Sequence, residues 1–258
     1  MSPKRPEFQV KLAETEAEIA AAQRLRYRVF VEELGASGPD VNHTLTLEAD
    51  RYDLHAEHLL LIDRQQSFNL GVVGTYRLLP DQKAVRTEGF YSEDEFDLAP
   101  LRQNDRRVLE LGRSCVLEDY RGGTAMFELW AGLAEYVLTR DFDVLFGVAS
   151  FHGTDLLALA EPLTFLHMNH LAPPGLRVSA KGDAARAMDL LPADAVDRRR
   201  AMLAMPPLIK AYLRLGGVVG QGAWLDHAFN TTEVCMVLDV AAISARHRAL
   251  YSQGRLAS

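Results

Sequence analysis

A chain of 258 residues, 48% hydrophobic and 24% charged, has enough apolar content for one large domain or two small ones. Its 28 basic and 35 acidic residues leave a formal charge of −7, which argues against general nucleic-acid binding. Two cysteines, Cys115 and Cys235, are too few for a disulfide scaffold, and no apolar run reaches the ~18 residues of a membrane span.

The opening "MSPKRPEFQV" carries charge with no apolar stretch behind it, so it does not read as a secretory signal, and a cytoplasmic home is expected. "FQVKLAE" suits a short strand. Glu14 to Leu34 reads as a helix, with Ile19, Ala22, Leu25, Val29 and Phe30 as its apolar stripe and Gly35 as its stop. "HLLLIDR" and "LGVVGTYRLL" are strands joined by "RQQSFN". Pro80 to Asp105 is irregular, and its acidic "YSEDEFD" reads as a surface loop or short helix.

"VLELGRSCV" is the next strand, and Thr124 to Leu138 a helix, with Met126, Leu129, Trp130, Leu133, Ala134 and Val137 at helical spacing. "DVLFGVAS" follows as a buried strand whose right-handed crossover from the previous one makes the two parallel. Thr154 to His167 is a second helix, broken or reset by Pro162. From about residue 168 the chain looks like an insertion or extension over the core. It runs through "PPLIKAYLRLGG", a short helix between prolines and glycines, to the closing strands "VVGQGAW" and "EVCMVLDV". The expected class is α/β, or α+β: a single domain over residues 1–258 with a mixed sheet and helices on both faces.

Charges inside apolar strands need partners or work. In strict alternation Glu110 and Arg113 point to opposite faces, and a bulge near Gly112 puts them on one. Glu110 either pairs with an arginine such as Arg77 or handles a basic substrate group. Asp50 and Asp53, three residues apart, meet through a turn and form an anionic pocket for an amine. "YRGGT" places Arg121, Gly122 and Gly123 before a helix, a turn suited to phosphate. No cysteine pair or ligand spacing calls for a metal, and both thiols read as buried.

Eight blocks in order resemble the carrier-protein-dependent acyltransferases of the GNAT superfamily, the ornithine-lipid group related to acyl-homoserine-lactone synthases. They are "RLRYRVFVEELG", "EADRYDLHAEHLLL", "VVGTYRLLP", "FYSEDEFDL", "VLELGRSCVLEDYRGG", "LWAGLAEY", "LFGVASFHGTD" and "PLIKAYLRLGG", spanning roughly Leu25 to Asn230. The resemblance implies the GNAT acyl-CoA N-acyltransferase fold, in which a thioester arm enters between two splayed parallel strands. It makes Arg26 and Phe30 of the first helix, Asp50, Asp53 and Arg77 substrate-binding, and Glu110 with Arg113 catalytic, Glu110 being the first choice of proton acceptor. Arg121, Gly122, Gly123 and Ser150 would hold the phosphopantetheine arm. Thr124 and Met126 stand where the acetyl-CoA enzymes carry glycine or alanine, so a full diphosphate cradle is not expected.

The implied reaction moves a (3-hydroxy)acyl group from acyl carrier protein to the α-amine of ornithine, giving lyso-ornithine lipid with no bound cofactor. The carrier would dock on arginines such as Arg24, Arg28, Arg121 and the "DRRR" run ending at Arg200. A lipid-like product implies contact with the inner face of a membrane, through the apolar residues around Leu203 to Tyr212, unless these pack inward. An N-acyl amino acid synthase with another acceptor shares the same site. Ala36, where lactone synthases carry tryptophan, speaks against lactone synthesis, and a binding module for acyl chains or carrier protein is the non-enzymatic alternative.

Overall fold

The computed structural model describes residues 5–103 and 105–247. The chain forms two compact units: one comprises the chain up to Leu79, Leu111–Asp141 and the residues from Ala245, and the other comprises Pro80–Glu110 and Phe142–Ser244.

In the first unit, strand β1 (Phe8–Leu12) leads into helix α1 (Glu16–Arg26). Thr15 caps the helix with Glu18 three residues on. The Glu18 amide donates to Thr15 Oγ1 at 3.2 Å, and the Thr15 amide donates to Glu18 Oε2 at 3.2 Å. The expected single helix changes pitch after Arg26. Tyr27–Glu33 is π-helical, with the Leu34 amide reaching back five residues to the Val29 carbonyl at 3.1 Å. Such wide turns gather at functional sites.

Strands β2 (Glu57–Asp63) and β3 (Val72–Pro80) follow, and β4 (Val108–Val116) completes the order β1–β2–β3–β4, with β1/β2 and β2/β3 antiparallel. Gly71 enters β3 at φ 73°, and a Cβ there would stand 2.7 Å from the Asp63 carbonyl oxygen, so the turn requires glycine. Ala21, Ala22, Leu25 and Val29 of the helical segment pack on Leu60, Val72 and Cys115. Leu59 and Leu61 point to the opposite face and are also buried, on a strand against which helix α2 (Ala125–Thr139) lies. Within α2, Leu129, Trp130, Leu133 and Val137 face inward as their spacing predicts; Met126, at the first turn, is exposed instead.

The second unit holds the first three residues of β4, strand β5 (Val144–His152), helix α3 (Ala160–His170), helices α4 (Arg198–Ala204) and α5 (Pro207–Arg214), and strands β6 (Ala223–Asp226) and β7 (Thr231–Asp239). The β4/β5 ladder is parallel, as the crossover requires, and has three rungs: Val108 with Val144, Leu109 with Leu145, Glu110 with Phe146. Strand β5 runs on to His152, paired along its whole length with antiparallel β7. Among the described residues the other parallel pairings are two isolated bridges, Leu171 with Val219 and Ser179 with Gln221, in a mixed, mainly antiparallel arrangement.

Helix α3 starts at Ala160, six residues later than its composition suggests. Pro162 sits in its first turn, where the missing N–H has no helical acceptor to lose. The expected insertion is strapped to α3: Thr164 Oγ1 donates to the Met188 carbonyl at 3.0 Å and accepts the Leu190 amide at 3.0 Å. "YSEDEFD" is less superficial than its charge suggests. Tyr91–Asp94 is a 3-10 turn and Phe96–Asp97 pairs with Ser179–Ala180, burying Ser92, Glu95 and Phe96. Helix α5 turns Ile209 and Tyr212 inward, while Leu203 on α4 is 72% exposed. Among the described residues no helix is long and apolar enough to cross a membrane. Both thiols are buried, as expected, and burial pushes the Cys115 thiol up to about 12.

Candidate active site

Three arginines and three carboxylates from four parts of the first unit meet in one buried network. Arg26, on the last turn of α1, is fully enclosed. Its Nε donates to Glu48 Oε2 at 2.5 Å, its Nη1 and Nη2 to Asp53 Oδ1 and Oδ2 at 2.7 and 2.6 Å, and Nη2 also to the Glu48 carbonyl at 2.6 Å. Arg77 of β3 donates through Nη1 to Asp50 Oδ1 at 2.5 Å and Asp53 Oδ1 at 3.1 Å. Arg113 of β4 donates to Glu48 Oε1 at 3.0 Å and Asp50 Oδ2 at 3.2 Å. Each carboxylate therefore bridges two arginines, and the six formal charges cancel.

A planar guanidinium suits this task because its fork of donors matches carboxylate oxygens. Burial alone would drive the Asp53 carboxyl up, but Arg26 and Arg77 beside it overcome that and hold it well below the usual carboxylate range. Asp50 is likewise held down against its burial by Arg77 and Arg113. Burial lowers the basicity of His58, whose Nε2 lies 3.1 Å from the Asp53 carbonyl oxygen. Asp40, half-buried, is pushed up by burial and by the negative charge of Asp50.

Near Gly112, where a bulge is expected, Arg113 adopts a left-handed φ of 49° in an otherwise extended strand. A left-handed backbone at a non-glycine residue costs about 1–2 kcal/mol, and such strain gathers where a side chain must be aimed. The Arg77 guanidinium passes 3.8 Å from where a Gly112 Cβ would stand.

The network gathers Arg26, Asp50, Asp53, Arg77 and Arg113, all anticipated in the sequence, but changes their meaning. The aspartates are not an open anionic pocket, because arginines already occupy both carboxylates. Arg26 is enclosed, with both ends of its guanidinium engaged, so it is no hand for a substrate carboxylate. Phe30 packs against the α1 core cluster. Glu48 was overlooked as a site residue although it stands two residues before Asp50, and that spacing in "EADRYD" was its available signal.

Glu110 sits in the second unit, at the last rung of the parallel ladder, and is 4% exposed. Its carboxylate accepts the Tyr91 amide at 2.9 Å, the Ser92 amide at 2.7 Å and the Ser92 hydroxyl at 2.5 Å. Three donors converge on this one carboxylate and hold its orientation. Arg77, expected as its alternative partner, goes to the aspartates. Nothing in the sequence marked Ser92, because serine in an acidic turn carries no signal of its own.

Arg121 departs from expectation. Its Nη1 and Nη2 grip the two carboxylate oxygens of Glu33, the second at 2.8 Å, and its Nε donates to the Val116 carbonyl at 2.8 Å. It closes the loop rather than offering a free cation. Gly122 takes φ 77°, and α2 begins after Thr124 with no side-chain cap, leaving its first amides without an intrahelical acceptor. Ser150 is exposed on β5 and donates to Glu233 Oε1 at 3.1 Å.

Residues 25–131 match the GNAT acetyltransferase domain family. A solved CoA-dependent acyl-homoserine lactone synthase, BjaI, superposes with a TM-score of 0.52 at 16% identity, covering 97% of this chain and 93% of that one. FeeM, an N-acyl amino acid synthase from uncultured soil microbes, gives 0.52 at 13% identity over 96% and 98%. These likenesses establish the GNAT fold. Among curated proteins, the L-ornithine N(alpha)-acyltransferase of Rhodobacter capsulatus is 52% identical over 95% of both chains, and that of Rhizobium meliloti 42% identical over 97% of this chain and 87% of the relative. At that identity and coverage, this chain belongs to the L-ornithine N(alpha)-acyltransferase family and is an acyltransferase.

Proposed function

We propose that this protein transfers a (3-hydroxy)acyl group from the phosphopantetheine arm of acyl carrier protein to the α-amine of ornithine, forming lyso-ornithine lipid at the inner face of a membrane. The observation that carries the acceptor is the near full-length similarity to relatives named for ornithine. The donor is drawn from the resemblance in the sequence. The uncapped start of α2 behind Gly122 and Gly123 offers backbone amides to one phosphate diester.

Chemically, the amine attacks the thioester carbonyl in its neutral form, the tetrahedral intermediate expels the thiolate, and the amine proton departs. No acyl-enzyme is needed. The Glu110 carboxylate, held by Tyr91 and Ser92, orients the incoming amine and stabilises positive charge as it develops there. Water takes the proton from that position. Arg113, at the less enclosed edge of the network, reads the acceptor's carboxylate, while Arg26, Glu48, Asp50, Asp53 and Arg77 hold that edge in place. Ser150 contributes a hydroxyl along β5 for the donor arm.

The test is a panel. The protein is incubated with 3-hydroxyacyl carrier protein or the matching acyl-CoA and each of ornithine, lysine, tyrosine and glycine, with thiol release and product mass followed together. Ornithine with the carrier thioester should outpace every other combination. Equal use of tyrosine would favour a general N-acyl amino acid synthase, and thioester binding without turnover would reduce the protein to a binding module.

A further inference from the structure

The turn between β2 and β3 presents two neighbouring apolar side chains to solvent. Phe68 is 70% and Leu70 52% exposed at its tip. The tip is ordered: Asn69 Nδ2 donates to the Ala21 carbonyl at 2.8 Å, and Arg24 Nε donates to Asn69 Oδ1 at 2.9 Å. Asn69 and Leu70 both take left-handed backbones, φ 50° and 55°, so the chain bends sharply and leaves both apolar side chains outward.

Beside the tip lies a cavity of about 700 Å³ within the first unit. Its apolar lining includes Val72, Val73 and Leu117, and Phe68 stands on its rim. Arg5 and Arg28 also line it, and neither guanidinium has a hydrogen bond or ion pair among the described residues. Arg28 also lines a smaller adjoining recess with Arg24, Phe68 and Thr46. Asp119 and Glu32 are the acids on these linings. Two uncommitted arginines over an apolar floor, with an aromatic and a leucine projecting beside them, are complementary to an anionic headgroup joined to acyl chains.

We propose that this face docks the protein on an anionic phospholipid bilayer, Phe68 and Leu70 entering the acyl boundary and Arg5 and Arg28 binding phosphate headgroups. A convex apolar tip favours a bilayer over an acidic protein, which would be met by a broader run of cations. The inference rests on the membrane-face reading above and on none of the transfer chemistry, so its test omits both substrates.

Protein is sedimented with vesicles of phosphatidylcholine alone, or of phosphatidylcholine carrying a minority of phosphatidylglycerol, and separately titrated with acyl carrier protein. Thermal melts confirm that each variant is folded. The wild-type chain should partition to the anionic vesicles, less so as salt rises. Arg5→Gln with Arg28→Gln should weaken this partition about tenfold or more, since each arginine at such a surface is worth about a factor of five. Phe68→Ser with Leu70→Ser should weaken it on vesicles and leave carrier-protein affinity unchanged. Absence of binding to anionic vesicles, or equal binding by the folded variants, overturns the proposal. Loss of carrier-protein affinity in the Phe68 and Leu70 variant, with vesicle binding intact, overturns it in favour of a protein partner. Turnover of the panel substrates in solution, measured apart, reports on the transfer reading alone.

Discussion

Arg26 and Asp53 face each other across two parallel hydrogen bonds, 2.7 and 2.6 Å, in a place where Arg26 has no exposed surface and Asp53 has 3%. A buried pair of this kind is costly to desolvate and more costly to break, because one partner alone is an uncompensated charge. The pair therefore makes the helix end, the Asp50–Asp53 turn and β3 interdependent.

Arg26→Gln should accordingly destabilise the fold by about 3–5 kcal/mol, read from urea or thermal unfolding. Arg26→Lys should remain well below wild type, because an ammonium cannot span two carboxylates. A change within about 0.5 kcal/mol, the range of ordinary surface substitutions, would show that the network carries no structural weight.

The same network predicts acid sensitivity. The Asp53 and Asp50 carboxyls lie below their unfolded values, so the unfolded chain binds protons first as pH falls. Their contribution is complete above about pH 4 and is lost as pH falls through the folded values. His58 acts higher. Its folded basicity is depressed, so stability starts to decline below about pH 6.5, where the unfolded imidazole protonates and the buried one does not. His58→Gln should flatten the unfolding free energy between about pH 6.5 and 5, while the steeper loss near pH 4 persists. An unchanged slope in that variant would remove His58 from the account.

Glu110→Gln tests a different dependence. Glutamine keeps the shape but offers one carbonyl oxygen and an NH2 to three donors, so at least one N–H meets another donor. The variant should lose about 1–3 kcal/mol of stability along with acyl transfer. Ser92→Ala removes one donor and spares the carboxylate, so it should keep most activity. Near-normal turnover in folded Glu110→Gln would confine Glu110 to holding the Tyr91–Ser92 turn.

The sheet and its helices were legible because period and composition report burial directly. Leu59, Leu60 and Leu61 announce a strand covered on both faces, and Thr15 with Glu18 announces a helix start. The site was legible as a set of residues, not as a set of contacts. Arg26, Asp50, Asp53, Arg77 and Arg113 stand out as charges among apolar neighbours, yet which charge meets which depends on the π-helical turn and the left-handed Arg113, and no local pattern encodes either. Arg121 shows the same limit, since its partner Glu33 is 88 residues away.

That Arg121–Glu33 pair gives a further test. If it only positions the glycine loop, Glu33→Gln and Arg121→Gln should raise the donor KM alike, by no more than about fivefold, the range of an exposed ion pair. The double variant should then resemble either single one. If Arg121 instead contacts the donor phosphate, Arg121→Gln should exceed Glu33→Gln, and the double variant should follow the arginine.

Arg113 separates backbone from side chain. Its φ of 49° suits glycine, and its guanidinium bonds Glu48 and Asp50. Arg113→Ala keeps the backbone strain and leaves Glu48 and Asp50 one arginine each, with one uncompensated negative charge in the network. Arg113→Gly leaves the same charge imbalance but relieves the strain, so it should be more stable than the alanine variant by about 1 kcal/mol. If the side chain serves only to balance Glu48 and Asp50, adding Glu48→Gln to Arg113→Gly should recover much of the stability and the activity together. If Arg113 reads the acceptor, that second change should restore stability while ornithine KM stays high. Unfolding curves and acceptor titrations on the same three proteins decide between the two, because charge balance moves both readouts and substrate recognition moves only one.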